Sequence, residues 1–189
     1  MISHDESLLT RIRKGERKAM EELYDTYAPV LLSVAQRYCT RREEAEDLLH
    51  ESLLKILKGV HTFNPTFEGA FEAWMRRITV NQCLTYIKRK IDFLKIDSLP
   101  ESGLIINSDE FDSGELPELN PTQVVTMIQS LPIGYRTVLN LYVFEHMTHK
   151  EIARELNISE NTSKSQLSKA RIYLKKQLEL TKKTVEAAR

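Results

Sequence analysis

Residues 147–178 read MTHKEIARELNISENTSKSQLSKARIYLKKQL, and the fold turns on how this stretch is divided. Thr148 and Glu151 stand three apart ahead of an apolar run, which is the spacing of a capping box at a helix start. Ile152, Ala153 and Leu156 give that helix an apolar side. Asn157 tolerates the left-handed conformation with which helices stop. Ile158 is expected as a buried anchor in the turn, and Ser159 as the cap of a second helix. On that helix Leu167, Ala170 and Leu174 share one face. Asn161, Ser165, Ser168 and Lys169 share the other, with Thr162 and Lys164 at its edges. A short helix, a tight turn and a second helix with a polar face are the parts of a helix-turn-helix, whose second helix enters a DNA major groove. An ordinary helical hairpin is the bland alternative.

Composition sets bounds around this stretch. The 189 residues allow one or two small domains. Apolar residues make up 41% and charged residues 29%, so a packed, soluble chain is expected. Six Gly and six Pro favour helices over a turn-rich β fold. The 27 basic and 27 acidic residues cancel, which argues against nonspecific coating of nucleic acid. Cys39 and Cys83 are isolated and suggest a reducing compartment. His4, His50, His61, His146 and His149 lack companions at ligand spacing, so neither a metal nor another cofactor is expected. No apolar run reaches the length of a membrane span and the start is no signal peptide, so a cytoplasmic location without membrane insertion is expected.

Upstream the period is helical throughout. Residues 5–14 form a short helix with Leu8, Leu9 and Ile12 on one side, ended by Gly15. A second helix over 16–27 carries Met20, Leu23, Tyr24 and Tyr27 as its stripe. Pro29 is read as starting a third, with Val30, Leu31, Val34, Ala35 and Tyr38 inward. From Arg42 to about Gly59 a helix opens with Glu43 and Glu44, which suit the dipole of a first turn. Asp47 and Glu51 lie beyond that turn and make a negative strip, while Leu49, Leu53, Ile56, Leu57 and Val60 face in. The loop HTFNPTFEG, 61–69, carries Phe63 and Phe67 around Asn64-Pro65.

A long helix over 71–91 follows. Its apolar stripe begins as Phe71, Trp74, Met75 and Ile78 and moves to the opposite side as Val80, Cys83, Leu84 and Ile87. Arg77, Asn81 and Lys88 share a polar face with Thr85 at its edge, and Arg76, Arg89 and Lys90 add charge. Rings beside a basic, Asn-bearing helix suit single-stranded nucleic acid, where bases stack and phosphates meet cations. A solvated helix face is the alternative. Residues 92–119 are rich in Asp, Glu, Ser, Gly and Pro with Lys95 as the one basic residue, and read as an acidic linker. Asn120-Pro121 restarts a helix with Val124, Val125 and Ile128 inward. Leu131-Pro132 breaks it, and a helix over 134–145 is expected to bury Val138, Leu139, Tyr142 and Val143.

Three motifs together resemble the extracytoplasmic-function sigma factors of bacterial RNA polymerase. EEAEDLLHESLLKI (43–56) is similar to the family's acidic helix through Ala45, Glu46, Asp47, Leu48, Glu51, Leu54 and Lys55, while Glu44, His50 and Leu53 depart from the usual Asp, Gln and Phe. FEAWMRRITVNQCLTYIKRK (71–90) matches at Phe71, Trp74, Ile78, Asn81 and Arg89, with Thr85 in place of an acid. Residues 131–171 follow the family's Leu-Pro start and helix-turn-helix, with Ser163 where Val is usual; its hydroxyl is expected to bond back to the Ser159 carbonyl.

The resemblance implies an all-α chain of two small helical domains joined by a flexible acidic linker. Domain 2 would be 1–91, the linker 92–119, and domain 4, with the helix-turn-helix, 120–189. It implies that Glu46, Asp47, His50 and Glu51 bind polymerase core. It implies −10 DNA contacts from Phe63, Asn64, Phe67, Arg77, Asn81, Lys88 and Arg89. The −35 contacts would come from Asn161, Thr162, Lys164, Ser165, Gln166 and Lys169. The implied partners are the clamp and flap elements of RNA polymerase core, promoter DNA and an anti-sigma factor, and no catalysis is implied. The competing reading is a helix-turn-helix regulator whose N-terminal part is a sensor or dimerisation domain. The Asp47–Glu51 strip and the Trp74–Asn81 helix separate the two, since a regulator needs neither.

Overall fold

The computed structural model describes residues 4–94 and 120–187, with side chains described over 5–90 and 120–181. Among these residues there are eight α-helices and no strand. They fall in two compact units, Met1–Ile96 and Asp97–Arg189. The acidic stretch read as a linker lies outside the described residues, apart from 92–94, which continue a helix.

The first unit holds α1 (His4–Arg13), α2 (Arg17–Gln36), α3 (Arg42–Gly59) and α4 (Ala70–Leu94). Gly15, at φ +77°, turns the chain between α1 and α2. Leu8, Leu9 and Ile12 are buried with Leu23, Tyr27 and Leu31 of α2, Leu49, Leu53 and Ile56 of α3, and Phe71 and Met75 of α4. Val80, Cys83, Leu84 and Ile87 are also buried, outside that cluster. The crossing of the α4 stripe from one side to the other is therefore real, because its two halves join different sets of neighbours.

Two expectations about α2 fail. The chain does not break before Pro29; α2 runs through it. Pro29 is exposed, so the Asp25 carbonyl that loses its amide partner faces water rather than the core. Leu23, Tyr27 and Ala28 before the proline and Leu31, Val34 and Ala35 after it are all buried. Burial on both flanks outweighs a helix-interior proline's cost of about 3 kcal/mol. In its first turns the buried row of α2 runs in four-residue steps through Ala19, Leu23 and Tyr27. Met20 and Tyr24, expected inward, are rotated off it and are exposed.

The second unit holds α5 (Pro121–Gln129), α6 (Ile133–Val143), α7 (His149–Leu156) and α8 (Glu160–Ala187). Asn120 caps α5 in a capping box with Gln123. Helix α6 is its centre: Val138, Leu139 and Leu141 are buried, and so are Arg136, Thr137 and Asn140. A helix enclosed on nearly every side must satisfy its polar groups internally. Arg136 donates from Nη1 to the Gln129 carbonyl at 2.8 Å, closing the C-terminal end of α5. Thr137 donates to the Ile133 carbonyl at 2.7 Å, and Asn140 to that of Arg136 at 3.0 Å. Val124 and Val143, expected inward, are exposed, because the core is filled by Ile128 and Leu131 ahead of α6 and by α6's own middle.

The helix-turn-helix has the caps its sequence calls for. Thr148 and Glu151 form the capping box, and Asn157 adopts φ 54°, ψ 47°. The Ile158 amide then donates to the Ala153 carbonyl at 3.0 Å, with the Ile158 side chain only half-buried. Ser159 Oγ accepts from the Thr162 amide at 2.9 Å.

Ser163 departs from expectation in its partner. It is 0% exposed, and its hydroxyl meets His149 Nδ1 at 2.9 Å, across the motif from α8 to α7. His149 also stacks on Tyr142 of α6, with ring centroids 4.8 Å apart. Burial and then the nearby Lys164 push the His149 pKa below its ordinary value, against an opposing effect of Glu160 and with a lesser contribution from Arg171. The neutral imidazole can therefore serve as the hydroxyl's partner at neutral pH.

Two stability outcomes follow. Pro29→Ala restores an amide without touching the core, and should stabilise the first unit by about 1–3 kcal/mol in urea unfolding followed by Trp74 fluorescence. Trp74 is the chain's one tryptophan, so the signal belongs to that unit. Ser163→Val overfills a closed site and strips His149 Nδ1 of its partner. It should destabilise the second unit by about 1–2 kcal/mol, read as faster amide hydrogen exchange through α7 and the first turns of α8.

Candidate nucleic-acid interfaces and docking face

Helix α3 buries Ala45, Leu48, Leu49, Ser52, Leu53 and Ile56 and turns the rest of its circumference outward. Asp47, His50 and Glu51 are exposed on that outer side, and Leu54 among them is 59% exposed. Glu46 is half-buried and takes Arg42 Nε at 2.7 Å. Glu51 has a second attachment. It accepts from Gln82 Nε2 of α4 at 2.9 Å, and Gln82 Oε1 in turn accepts from Lys55. Gln82 itself is 6% exposed, so this bridge runs through the α3–α4 packing.

Glu44, read as serving the helix dipole, has a further role. Its carboxylate takes Arg41 at 3.0 Å and Lys90 of α4 at 3.3 Å. Burial alone would raise its pKa; hydrogen bonds from Tyr86, Arg41 and Lys90 outweigh burial and hold it below the ordinary value. Glu44 thus braces α3 to α4 near one end, and Glu51 with Gln82 braces them farther along.

The loop over 61–69 divides its two aromatic rings. Phe63 stacks on Trp74, centroids 4.6 Å apart at 27°, and lies 5.6 Å from Phe71. Tyr27 completes the group edge-on to Phe71 at 5.7 Å. One face of the Phe63 ring is therefore occupied within the protein. Phe67 is 65% exposed, and Asn64 is exposed beside it in the loop. Gly59 permits the arrangement, since a Cβ there would come within 3.0 Å of Trp74 Cζ2. Gly69, at φ +81°, turns the chain into α4.

On α4, Arg77, Asn81, Thr85 and Lys88 are exposed, and so is Arg89 at the rim. At 1.5 Å per residue, the span from Arg77 to Lys88 is about 16 Å. Thr85, which stands where the resembling family has an acid, donates its hydroxyl to the Asn81 carbonyl at 2.8 Å. It bonds the backbone and leaves the Asn81 amide to the exposed face. Arg76 pairs with Glu72 at 2.8 Å and lies off this stripe.

The α8 candidates also divide. Asn161 is exposed and Ser165 half-exposed on the outer face. Thr162 is drawn into the cap, its hydroxyl 2.7 Å from that of Ser159. Lys164 is exposed and pairs with Glu160 at 2.9 Å. Gln166 lies against the start of α6, its amide 3.2–3.3 Å from where a Cβ on Gly134 would sit. Lys169 is half-buried. Ser168, expected outward, is buried, because so short a side chain stays within the envelope of its helix at the rim of a packed face. Ile172, one turn beyond Ser168, is exposed.

Sequence reasoning missed Arg13, Gln82 and Lys90 as fixing residues. Arg13 donates to the Val60 carbonyl at 3.1 Å and to that of Phe63, 47 and 50 residues away. No local pattern carries a signal for such a partner. Among the described residues no His, Cys, Asp and Glu group is arranged to hold a metal, and no helix is long and apolar enough to cross a membrane.

Comparison with known proteins assigns the chain to a family. Residues 23–91 match the family model of Sigma-70 region 2, and residues 122–174 that of Sigma-70 region 4. The chain is 27% identical over 179 residues to the ECF RNA polymerase sigma factor SigW of Bacillus subtilis, covering 90% of this chain and 94% of that one. It is 26% identical over 188 residues to the RNA polymerase sigma-H factor of Pseudomonas aeruginosa, covering 93% and 94%. A solved structure of the sigma factor RpoE with the anti-sigma factor NepR from Bartonella quintana is similar at 20% identity and TM-score 0.49, over 86% of this chain and 98% of that one. The region 2 match over residues 23–91 takes up most of the stretch in which the competing reading put a sensor or dimerisation domain. With region 2 matched over residues 23–91 and region 4 after it over residues 122–174, the chain belongs to the sigma-70 family, among its ECF sigma factors, and directs promoter-specific transcription initiation by RNA polymerase.

Proposed function

We propose the following division of labour within that function. Residues 1–91 act as sigma domain 2 and residues 120–189 as domain 4, with 92–119 as the linker. The outer side of α3 docks on the clamp of polymerase core. Asp47 and His50 stand outward there, Glu46 and Glu51 flank them, and exposed Leu54 supplies an apolar centre. An apolar residue ringed by charge is the usual make-up of a protein docking site. Domain 4 is expected to meet the flap element, and an anti-sigma factor is carried over as a partner of the family. The protein acts in the cytoplasm and makes or breaks no bond.

The −10 element is opened by the loop and α4 together. The observation that carries this reading is the exposed Arg77–Asn81–Lys88 stripe beside a loop whose Phe67 ring is open while Phe63 is tied to the core. Extruded bases find a ring to stack on and an Asn side chain to meet, while phosphates find Arg77, Lys88 and Arg89. Stacking of about 1–3 kcal/mol per base then offsets the few kcal/mol needed to unstack each one. Phe63 takes part as the ring that holds the loop and Asn64 as a polar contact. The −35 element is read as duplex by the outer face of α8. Asn161 and Ser165 reach base edges, Thr162 and Gln166 sit at the rim, and Lys164 and Lys169 meet phosphate.

Two measurements test the assignment. Asp47 is exposed, and Asp47→Lys should weaken core binding roughly fivefold at low salt, with the difference narrowing at high salt. Adding Glu51→Lys should weaken it further, and an unchanged affinity for both variants removes the docking face. Lys164→Ala and Lys169→Ala should each leave −35 sequence preference in place. At least one should lower the salt slope of duplex binding by about one unit. An intact slope in both means that α8 docks through another face.

A further inference from the structure

The loop that the proposed −10 reading depends on is held from outside the region 2 match. That match begins at residue 23, whereas α1 ends at Arg13. Arg13 reaches across to the far end of α3 and donates to two carbonyls there. Nε meets Val60 at 3.1 Å and Nη2 meets Phe63. Val60 is the residue that ends α3, where carbonyls lack amide partners and the helix dipole is negative. A guanidinium suits that place in charge and in shape, because its planar fork can serve two acceptors at once.

The same short stem is fixed twice more. The Phe63 ring stacks on Trp74, and the Phe63 amide donates to the Gly59 carbonyl at 3.2 Å. Past Phe63 the loop carries exposed Asn64 and exposed Phe67 before α4 begins. The stem therefore sets where these two side chains stand relative to Asn81. Helix α1 can transmit this constraint because Leu8, Leu9 and Ile12 seat it in the core, and Asp5 accepts from the Tyr27 hydroxyl at 2.6 Å.

We infer that Arg13 is a positioning residue for −10 recognition: by clamping the Val60 and Phe63 carbonyls it holds the loop in register with the Asn81 face, and so sets discrimination between bases at the −10 element. This rests on the proposed role of the loop. Arg13 touches no base. Its charge is used on carbonyls rather than on phosphate, so Lys, which keeps the charge and loses the fork, should not replace it.

The test uses full-length chain in holoenzyme with polymerase core. A single-stranded −10 oligonucleotide is first selected by the parent holoenzyme from a randomised pool. Its affinity is then compared with that of each single-base substitution, giving a discrimination ratio. Arg13→Lys and Arg13→Gln should both lower that ratio roughly tenfold, the scale of a lost hydrogen bond to a charged group. Core affinity and −35 duplex affinity should stay at parent values. A parent ratio in Arg13→Lys overturns the inference and makes Arg13 an exchangeable cation. A lowered melting temperature with the ratio intact overturns it too, leaving a purely structural contact. Asn64→Ala with Phe67→Ala separates the two levels. If that double variant loses the ratio while the Arg13 variants keep it, the inference alone fails. If it keeps the ratio, the loop's role fails and the inference with it.

Discussion

The packing of α3 against α4 is the constraint on which the first unit's surfaces depend. Both helices bury one side and expose another. Phe71 and Met75 anchor α4 in the cluster that holds Leu49, Leu53 and Ile56 of α3. Once that seam is fixed, the outward directions of Asp47 and of Asn81 follow from helical geometry. Two polar braces, Glu44 with Lys90 and Glu51 with Gln82, pin rotation at separate points along the seam. Apolar packing alone tolerates small rotations, whereas a hydrogen bond near 3 Å does not. The proposed docking face and DNA face on these adjacent helices are thereby kept in fixed relation.

The second unit meets a related demand with polar groups inside. Helix α6 is buried so widely that Arg136, Thr137 and Asn140 fall in the interior. Each finds a carbonyl, and the Arg136 bond also closes the end of α5. Ser163 extends this logic to the helix-turn-helix. A valine there would contribute more apolar burial, but the serine ties α8 to His149 and, through the stacked ring, to Tyr142. A directional contact sets the angle between the two helices more sharply than methyl groups would.

The aromatic residues of the first unit show how one composition serves two ends. Tyr27, Phe63, Phe71 and Trp74 form one group of rings, while Phe67 stands in solvent. In the sequence Phe63 and Phe67 are equivalent members of one loop. The difference is that Phe63 follows directly on the stem closed at Gly59 and clamped by Arg13, within reach of Trp74. Phe67 lies four residues farther along the loop and is 65% exposed.

How much of this was legible in the sequence follows the range of the forces involved. The capping box of Thr148 and Glu151, the left-handed Asn157, the Ser159 cap and the polar stripe of α4 were readable, because each is decided within three or four residues or by a fixed helical period. The shift of the α4 stripe was readable for the same reason. The continuity of α2 through Pro29 was not, since a local cost of about 3 kcal/mol was overridden by burial that only assembly supplies. The exposure of Met20 and Tyr24 was not readable either, because which side of the first turns of α2 meets the core is set by assembly. The hydroxyl partner of Ser163 lies 14 residues away, that of Glu51 31, and those of Arg13 47 and 50. A hydrogen bond acts only over about 3 Å, so groups that distant along the chain become partners only when packing brings them together. The sequence by itself determined the helices and the residues available on their faces. Tertiary structure alone decided which of those residues are held in the protein and which remain exposed for the proposed contacts.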